Sequence, residues 1–198
     1  MKSAGVFLYN FPMPNINKMK FCPLCGKSTL EYRKNHWVCT DCGFDLYNNI
    51  AASVGLILHT ADNQILLEKR AKEPRKGFLA LPGGFIDADE SAENACVREV
   101  QEEIGLFVNI KDISFVGTSP NTYVFKNITY KTCDMFFSCE LPKDFDIKQL
   151  KIQESEVTSL DFYKITSEKE IENLPLAFGS ATVMLKKWFE TRKLLQND

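Results

Sequence analysis

Gly84-Phe85-Ile86-Asp87-Ala88-Asp89-Glu90-Ser91-Ala92-Glu93-Asn94-Ala95-Cys96-Val97-Arg98-Glu99-Val100-Gln101-Glu102-Glu103-Ile104-Gly105-Leu106 is the stretch that decides how this 198-residue chain folds. Pro82, Gly83 and Gly84 break the backbone, and Asp87, Asp89, Glu90 and Ser91 suit a helix N-terminus. Good helix formers run from about Ser91 to Gly105, a residue able to take the left-handed conformation that ends a helix. At about 100° per residue, Glu99 and Glu103 share one line, with Glu102 roughly 60° to 80° away. Ala92 and Ala95 lie on that side and are small enough for a loop to wrap closely. Cys96, Val97, Val100 and Ile104 form a separate apolar stripe that predicts packing on a sheet. One helix thus carries converging carboxylates on one side and an anchor on the other. Like charges at these spacings repel unless a cation sits among them. Hard divalent ions such as Mg²⁺ take oxygen ligands, few from protein and the rest from water or phosphate. For three helical glutamates alone, the plain alternative is a solvated acidic face.

The full run changes that weighing. It resembles the Nudix box (Gly, five residues, Glu, seven residues, Arg-Glu, apolar, any, Glu-Glu, any, Gly, apolar) at every fixed position. The resemblance implies Mg²⁺- or Mn²⁺-dependent attack of water on phosphorus. It implies Glu99, Glu102 and Glu103 as metal ligands beside the Gly84 carbonyl. It also implies that Glu90 and Arg98 hold loop and helix together.

Bulk properties set the frame. The length suits one main domain with a small appendage, and 44% hydrophobic content suits a globular core. A net charge of −2 argues against a general nucleic-acid or anionic-membrane binder. No run of 18 apolar residues is present, and the first ten residues make a poor signal peptide. Seven cysteines, an odd number, then point to a reducing, cytoplasmic setting.

Four of those cysteines form a pattern. Cys22-Pro23-Leu24-Cys25-Gly26 and Cys39-Thr40-Asp41-Cys42-Gly43 supply two Cys-x-x-Cys knuckles, hence four thiolates for a tetrahedral Zn²⁺. Redox dithiols or disulfides are the alternatives. A four-cysteine site is closed, so its role is structural: a zinc ribbon over residues 21–48, behind an irregular arm of residues 1–20. Tyr32, Trp37 and Val38 are candidates to cover the small hairpin.

The remainder, residues 49–198, reads as an α/β domain, a mixed sheet sandwiched between helices. Ala51 to Thr60 and Gln64 to Arg70 predict a hairpin. Lys69, Arg70, Lys72, Arg75 and Lys76 crowd the loop that follows, either as a solvated basic segment or with Arg70 or Lys76 touching phosphate. Phe107–Ile110 and Ile113–Thr118 read as strands, and a hairpin turning at Lys126-Asn127 continues through Ile128 to Cys139. Cys96, Cys133 and Cys139 read as small buried hydrophobes. Val157–Tyr163 is a last strand, and Phe178 to Leu195 closes as a helix with Ala181, Met184, Leu185, Trp188 and Phe189 inward. Neither His36 nor His59 is placed like a general base, which leaves proton abstraction to a glutamate.

A zinc ribbon ahead of a Nudix domain is similar to the architecture of NADH pyrophosphatases, over roughly residues 21 to 190. That likeness implies cleavage of a nucleoside diphosphate linked to another moiety, such as ADP-ribose, NADH or a nucleotide sugar. A nucleoside triphosphate is the alternative substrate. A non-catalytic nucleotide-binding regulator is a third reading, which the intact box glutamates disfavour. Family members add a ligand or base from a later loop; here Glu156 matches best, then Glu154. The chain departs from the family where a tryptophan-containing stretch recognises the reduced nucleotide, having Thr118-Ser119-Pro120-Asn121-Thr122-Tyr123-Val124-Phe125 instead. Arg70, Lys76, Phe78, Tyr123 and Phe125 are therefore the candidate substrate readers, the aromatics by stacking on a base. NADH is not expected to be strongly preferred over ADP-ribose. Self-association through the ribbon, giving a homodimer, is a further expectation.

Overall fold

The computed structural model describes residues 19–195 apart from residue 127. Most of the expected N-terminal arm, and one residue of the hairpin turn, therefore lie outside the described residues. Two compact units emerge. One holds residues up to Asn49 together with Val124–Tyr130, the other Ile50–Tyr123 and Lys131–Asp198.

In the first unit, β1 (Leu30–Arg33), β2 (His36–Cys39) and β3 (Asp45–Tyr47) form an antiparallel sheet in that order. Leu30, Trp37, Cys22 and Cys39 make its small core, with Tyr32 and Phe44 against them. Val38 is half-buried on the alternate face of β2, as the two-residue period of a strand requires.

In the second unit, β4 (Ala51–His59) pairs in parallel with β8 (Ile128–Glu140) and meets the start of β5 (Gln64–Arg70). Further along, β5 pairs with the short β6 (Leu79–Ala80) on one side and with β9 (Val157–Lys164) on the other. β7 (Ser114–Phe125) lies outside β8. The continuous apolar run of β4 follows from burial on both faces. Val54, Leu56 and Leu58 face α1 (Ala92–Ile104) with Leu66, Phe137 and Cys139. Ile57, Ile65, Leu67 and Phe136 face α2 (Glu168–Asn173) and α3 (Gly179–Leu195) on the other side.

α1 anchors through Ala95, Cys96, Val100 and Ile104, none of them exposed. Burial of Val100 and Ile104 contributes about 1.5–3 kcal/mol each. Ala95 thus joins the anchor rather than the carboxylate side. Ser91 accepts the Asn94 amide as N-cap, and Gly105 closes the helix at φ 70°. α3 buries Ala181, Met184, Leu185 and Trp188, with Phe189 half-buried against the same core. Cys96 and Cys139 are buried in the core, and Cys133 is half-buried.

One expected strand does not form. Phe107–Ile110 is irregular and runs into a one-turn 3₁₀ helix at Ile110–Asp112, because the Asn109 side chain accepts the Lys111 amide at 3.0 Å and turns the chain. Phe107 is correspondingly exposed.

Candidate active site and metal centre

The loop ahead of α1 runs antiparallel against the first half of β4, and two adjacent glycines make that close approach possible. A Cβ on Gly83 would meet the Val54 carbonyl oxygen at 2.2 Å, at a backbone φ of 148°. A Cβ on Gly84 would meet the Glu99 carboxylate at 2.6 Å. The Gly84 carbonyl accepts the Val54 amide at 2.8 Å, one of the two acceptor positions of that oxygen.

Arg98 fastens this loop to the helix. Its guanidinium grips Glu90 with Nη2 at 2.6 Å and Nε at 3.2 Å, and donates to the Phe85 carbonyl at 3.1 Å. Glu90 also accepts the Asp87 amide at 2.8 Å. The Arg98 clamp, helped by that amide, holds the Glu90 carboxyl below its ordinary range. Nη1 reaches Glu99 at 2.9 Å and Glu102 at 3.2 Å, relieving part of the repulsion along the helix.

Glu103 is the most enclosed carboxylate of the helix, 4% exposed, and accepts the Gly83 amide at 2.8 Å. Burial, then the neighbouring Glu68, push its carboxyl well above the usual range. Burial also raises Glu99 against the opposing pull of Arg98. Glu68, on β5, is 2% exposed, and burial drives it up to about 8. One of its oxygens, Oε2, has no hydrogen-bond partner.

A cavity of about 340 Å³ gathers most of these groups, within the size range of small-molecule sites. Its wall includes Gly84, Glu99, Glu102, Glu103 and Glu156, with Arg70 and Lys72 beside them. Lys72 pairs with Glu156 at 2.5 Å. Glu154 is exposed and does not line the cavity. Glu99 and Glu102 meet at Arg98 Nη1, while Glu103 turns to the Gly83 amide. Few protein oxygens set around open space suit a hard divalent ion that keeps phosphate and water in its shell. The donor set and the raised carboxyls of Glu99 and Glu103 both fit a cation there.

The substrate candidates divide. Arg70 and Tyr123 line the cavity, whereas Lys76, Phe78 and Phe125 do not. Arg70 is 8% exposed, bonded to the Pro74 carbonyl at 3.0 Å and seated 5.2 Å from the Phe178 ring. Phe78 lies under Arg75, and Phe125 beside Lys126 in the unit that holds the ribbon. His36 stacks on Tyr47, and His59 lies tilted against Trp188 at 5.1 Å; neither lines the cavity.

The four knuckle sulfurs all lie within 4.8 Å of one another. Cys22 and Cys42 are 3.7 Å apart, as are Cys25 and Cys39. Those spacings exclude a disulfide, whose sulfurs sit about 2.05 Å apart. They match the edge of a tetrahedron with arms of about 2.3 Å, which is about 3.8 Å. The Thr29 hydroxyl, 3.1 Å from its sulfur, and the Cys42 amide hold the Cys39 thiol down at about 6. Thr29 is a supporting residue that the cysteine spacing does not announce.

Residues 50–185 match the NUDIX domain family. The chain belongs to that family. A segment of 78 residues is 45% identical to the ADP-ribose pyrophosphatase of Methanocaldococcus jannaschii, covering 39% of this chain and 46% of that protein. Over 164 residues the Nudix chain is 29% identical to the NAD-capped RNA hydrolase NudC of Haemophilus influenzae, covering 81% of this chain and 56% of that one. It thus spans about half the length of these curated relatives. A NUDIX hydrolase crystal structure from Nitrosomonas europaea superposes with a TM-score of 0.61 and 26% identity, over 88% of this chain and 93% of that one. Among the described residues, no helix is long and apolar enough to cross a membrane.

Lys72 and Asn121, from the basic loop and the Pro120–Phe125 segment, line the Nudix cavity, while sequence reading misses a role there for Phe178 and for the hydrogen-bonded group of Ser53, Thr132, Asp134 and Ser180. Asp134 does leave a trace in the sequence, as a lone acid inside the run Cys133-Asp134-Met135-Phe136-Phe137.

Proposed function

We propose that this Nudix protein is a divalent-metal-dependent pyrophosphohydrolase. Its substrate on this reading is a nucleoside diphosphate linked to a second moiety, of the ADP-ribose or dinucleotide kind. The observation that carries the reading is one cavity holding Glu99, Glu102, Glu103 and Glu156 together with Arg70 and Lys72, and continuing to an aromatic wall. The likeness to an ADP-ribose pyrophosphatase over a 78-residue segment supports the substrate class.

Glu99, Glu102, Glu103 and the Gly84 carbonyl would hold Mg²⁺ or Mn²⁺. Such an ion, when bound, neutralises phosphate charge and lowers the pKa of a coordinated water. The chain's own work is positional. Arg98 and Glu90 fix the loop so that the carboxylates keep their spacing. Arg70 and Lys72 place positive charge where the diphosphate lies. Glu156, on the Gln153–Glu156 turn, takes the proton from the attacking water, with Lys72 available to steady it. Tyr123 and Phe178 offer ring faces to a base. The second metal of the chain, on this reading, is a structural Zn²⁺ on Cys22, Cys25, Cys39 and Cys42.

A panel tests this: ADP-ribose, NADH, NAD⁺, FAD, dinucleoside polyphosphates and nucleoside triphosphates, with Mg²⁺ and then Mn²⁺, in ¹⁸O-labelled water. The expected products are two monophosphates, one carrying the label, with NADH less than tenfold above ADP-ribose in kcat/KM. A tenfold gap corresponds to about 1.4 kcal/mol of transition-state binding. Release of inorganic pyrophosphate from triphosphates alone overturns the substrate class.

A further inference from the structure

The cavity wall also holds a buried acid that none of the box carboxylates touches by hydrogen bond. Asp134 on β8 is 7% exposed and lines the cavity. Its register partner across β4 is Ser53, whose Oγ donates to Oδ1 at 2.6 Å. Thr132, two residues earlier on the same face of β8, donates to Oδ1 at 2.6 Å. Ser180, in the first turn of α3, donates to Oδ2 at 2.6 Å. Thr132 and Ser180 are 4% and 3% exposed.

An ionised carboxylate has about four acceptor positions, two on each oxygen. Two are filled on Oδ1 and one on Oδ2, which leaves one on Oδ2. Each hydroxyl has spent its hydrogen on Asp134, so it can show the cavity only lone pairs. These four side chains therefore offer the cavity acceptors alone, and they complement a donor. The same cavity is lined by rings: Phe85 and Tyr123 meet edge-on at 5.4 Å, and Tyr123 and Phe178 tilt together at 5.7 Å. Aromatic faces and a buried acceptor group in one cavity suit a flat heterocycle that carries an N–H₂ group.

We infer that Asp134, held by Ser53, Thr132 and Ser180, is a specificity-determining residue that accepts a hydrogen bond from a ring-borne amino or amide group of the substrate. This rests on the nucleotide-hydrolase reading above and names the part of the nucleotide that is read. Within the ADP-ribose and nicotinamide-dinucleotide substrates proposed above, two sources carry the required group, the amino group of adenine and the carboxamide of nicotinamide. A buried polar acceptor rejects an analogue that lacks the donor far more strongly than an apolar pocket rejects a missing methylene.

Binding of monophosphates by calorimetry, with Mg²⁺ present, tests the inference without any turnover. AMP is compared with purine riboside 5′-monophosphate, which lacks the amino group. Nicotinamide mononucleotide is compared with nicotinic acid mononucleotide, which replaces the amide by a carboxylate. The native protein is expected to prefer the amino or amide partner at least tenfold in one pair, and that pair identifies the source. Asp134→Asn is expected to reduce the preference below threefold while ribose 5-phosphate, which has no ring, binds within twofold of its native affinity. A purely structural strap between β4, β8 and α3 would instead weaken all ligands together. Thr132→Val, nearly isosteric, is the second variant and is expected to cut the preference at least threefold. Equal binding within both pairs by the native protein overturns the inference without recourse to any variant. So does a preference that survives in either variant. Because the probes are not hydrolysed, absent turnover would count against the hydrolase reading alone, and absent discrimination by the native protein against the Asp134 inference alone.

Discussion

Gly83 and Gly84 are neighbours in sequence, yet the structure gives them different jobs. At Gly83 an added Cβ runs into the backbone of β4 at a positive φ, so the main chain must move. Gly83→Ala is expected to destabilise the fold by about 1–3 kcal/mol, read as a drop in melting temperature. At Gly84 the clash is with the far end of Glu99. Gly84→Ala should therefore leave the melting temperature within a few degrees while displacing a candidate metal ligand, and lower kcat by roughly tenfold or more. If instead Gly84→Ala unfolds the protein and Gly83→Ala does not, the placement of the loop is wrong. Arg98 is the other deciding residue, since a lysine cannot reproduce its fork on Glu90 together with its reach to Phe85, Glu99 and Glu102. Arg98→Lys is expected to weaken stability by about 1–3 kcal/mol and to raise the apparent metal requirement, measured as the Mg²⁺ concentration at half-maximal rate.

Among the elements, α1 was the most legible. Its N-cap, its left-handed end at Gly105 and its apolar stripe are all written in local residue choice, and so is the fixed spacing of the box. The four sulfurs of the ribbon were legible for the same reason, because metal chemistry ties cysteines to short spacings. The core of that unit is only a few side chains around Trp37, so folding should depend on the ion. Elemental analysis should find one zinc per chain, and Cys22→Ser or Cys39→Ser should lose it along with the protease resistance of the ribbon. A zinc-free protein with an ordered ribbon would contradict this. Less could be read where tertiary context decides. Phe107–Ile110 has the composition of a strand, and one Asn109 side chain turns it aside. The short α2 went unread, although Ser167 and Glu170 carry the spacing of a capping box. The Asp134 group draws on β4, β8 and α3, and no local pattern announces residues so far apart in sequence. Lys76, Phe78 and Phe125 are candidate substrate readers by sequence position, yet Lys76 and Phe78 do not line the cavity and Phe125 belongs to the unit that holds the ribbon.

At the scale of the whole molecule, the buried carboxyls make stability depend on pH and on metal together. Burial holds Glu68 at about 8, above the ordinary carboxylate value of 4.5 that its unfolded form would show. Between those values the folded chain binds more protons than the unfolded one, so this term favours folding at low pH and fades as pH rises through about 8. The Glu90 clamp has the opposite sign, stabilising above the normal glutamate range and failing as pH falls below it. Metal-free protein should therefore melt lower at pH 8.5 than at pH 6. Glu68→Gln should shrink that difference by roughly 2–4 °C for each kcal/mol recovered, and Mg²⁺ should shrink it by offsetting the wall of negative charge. An unchanged pH profile in Glu68→Gln would show that this carboxyl carries no such term. The central proposal is a cation held by the box carboxylates during phosphorus chemistry. The most direct test is the rate of cleavage of the best diphosphate-linked substrate by native protein and by Glu103→Gln, each with Mg²⁺ and with chelator. Cleavage by the native protein only with Mg²⁺, and a fall of about 100-fold or more in Glu103→Gln at unchanged circular dichroism, is the predicted result. Native rates in chelator, or in Glu103→Gln, would contradict it.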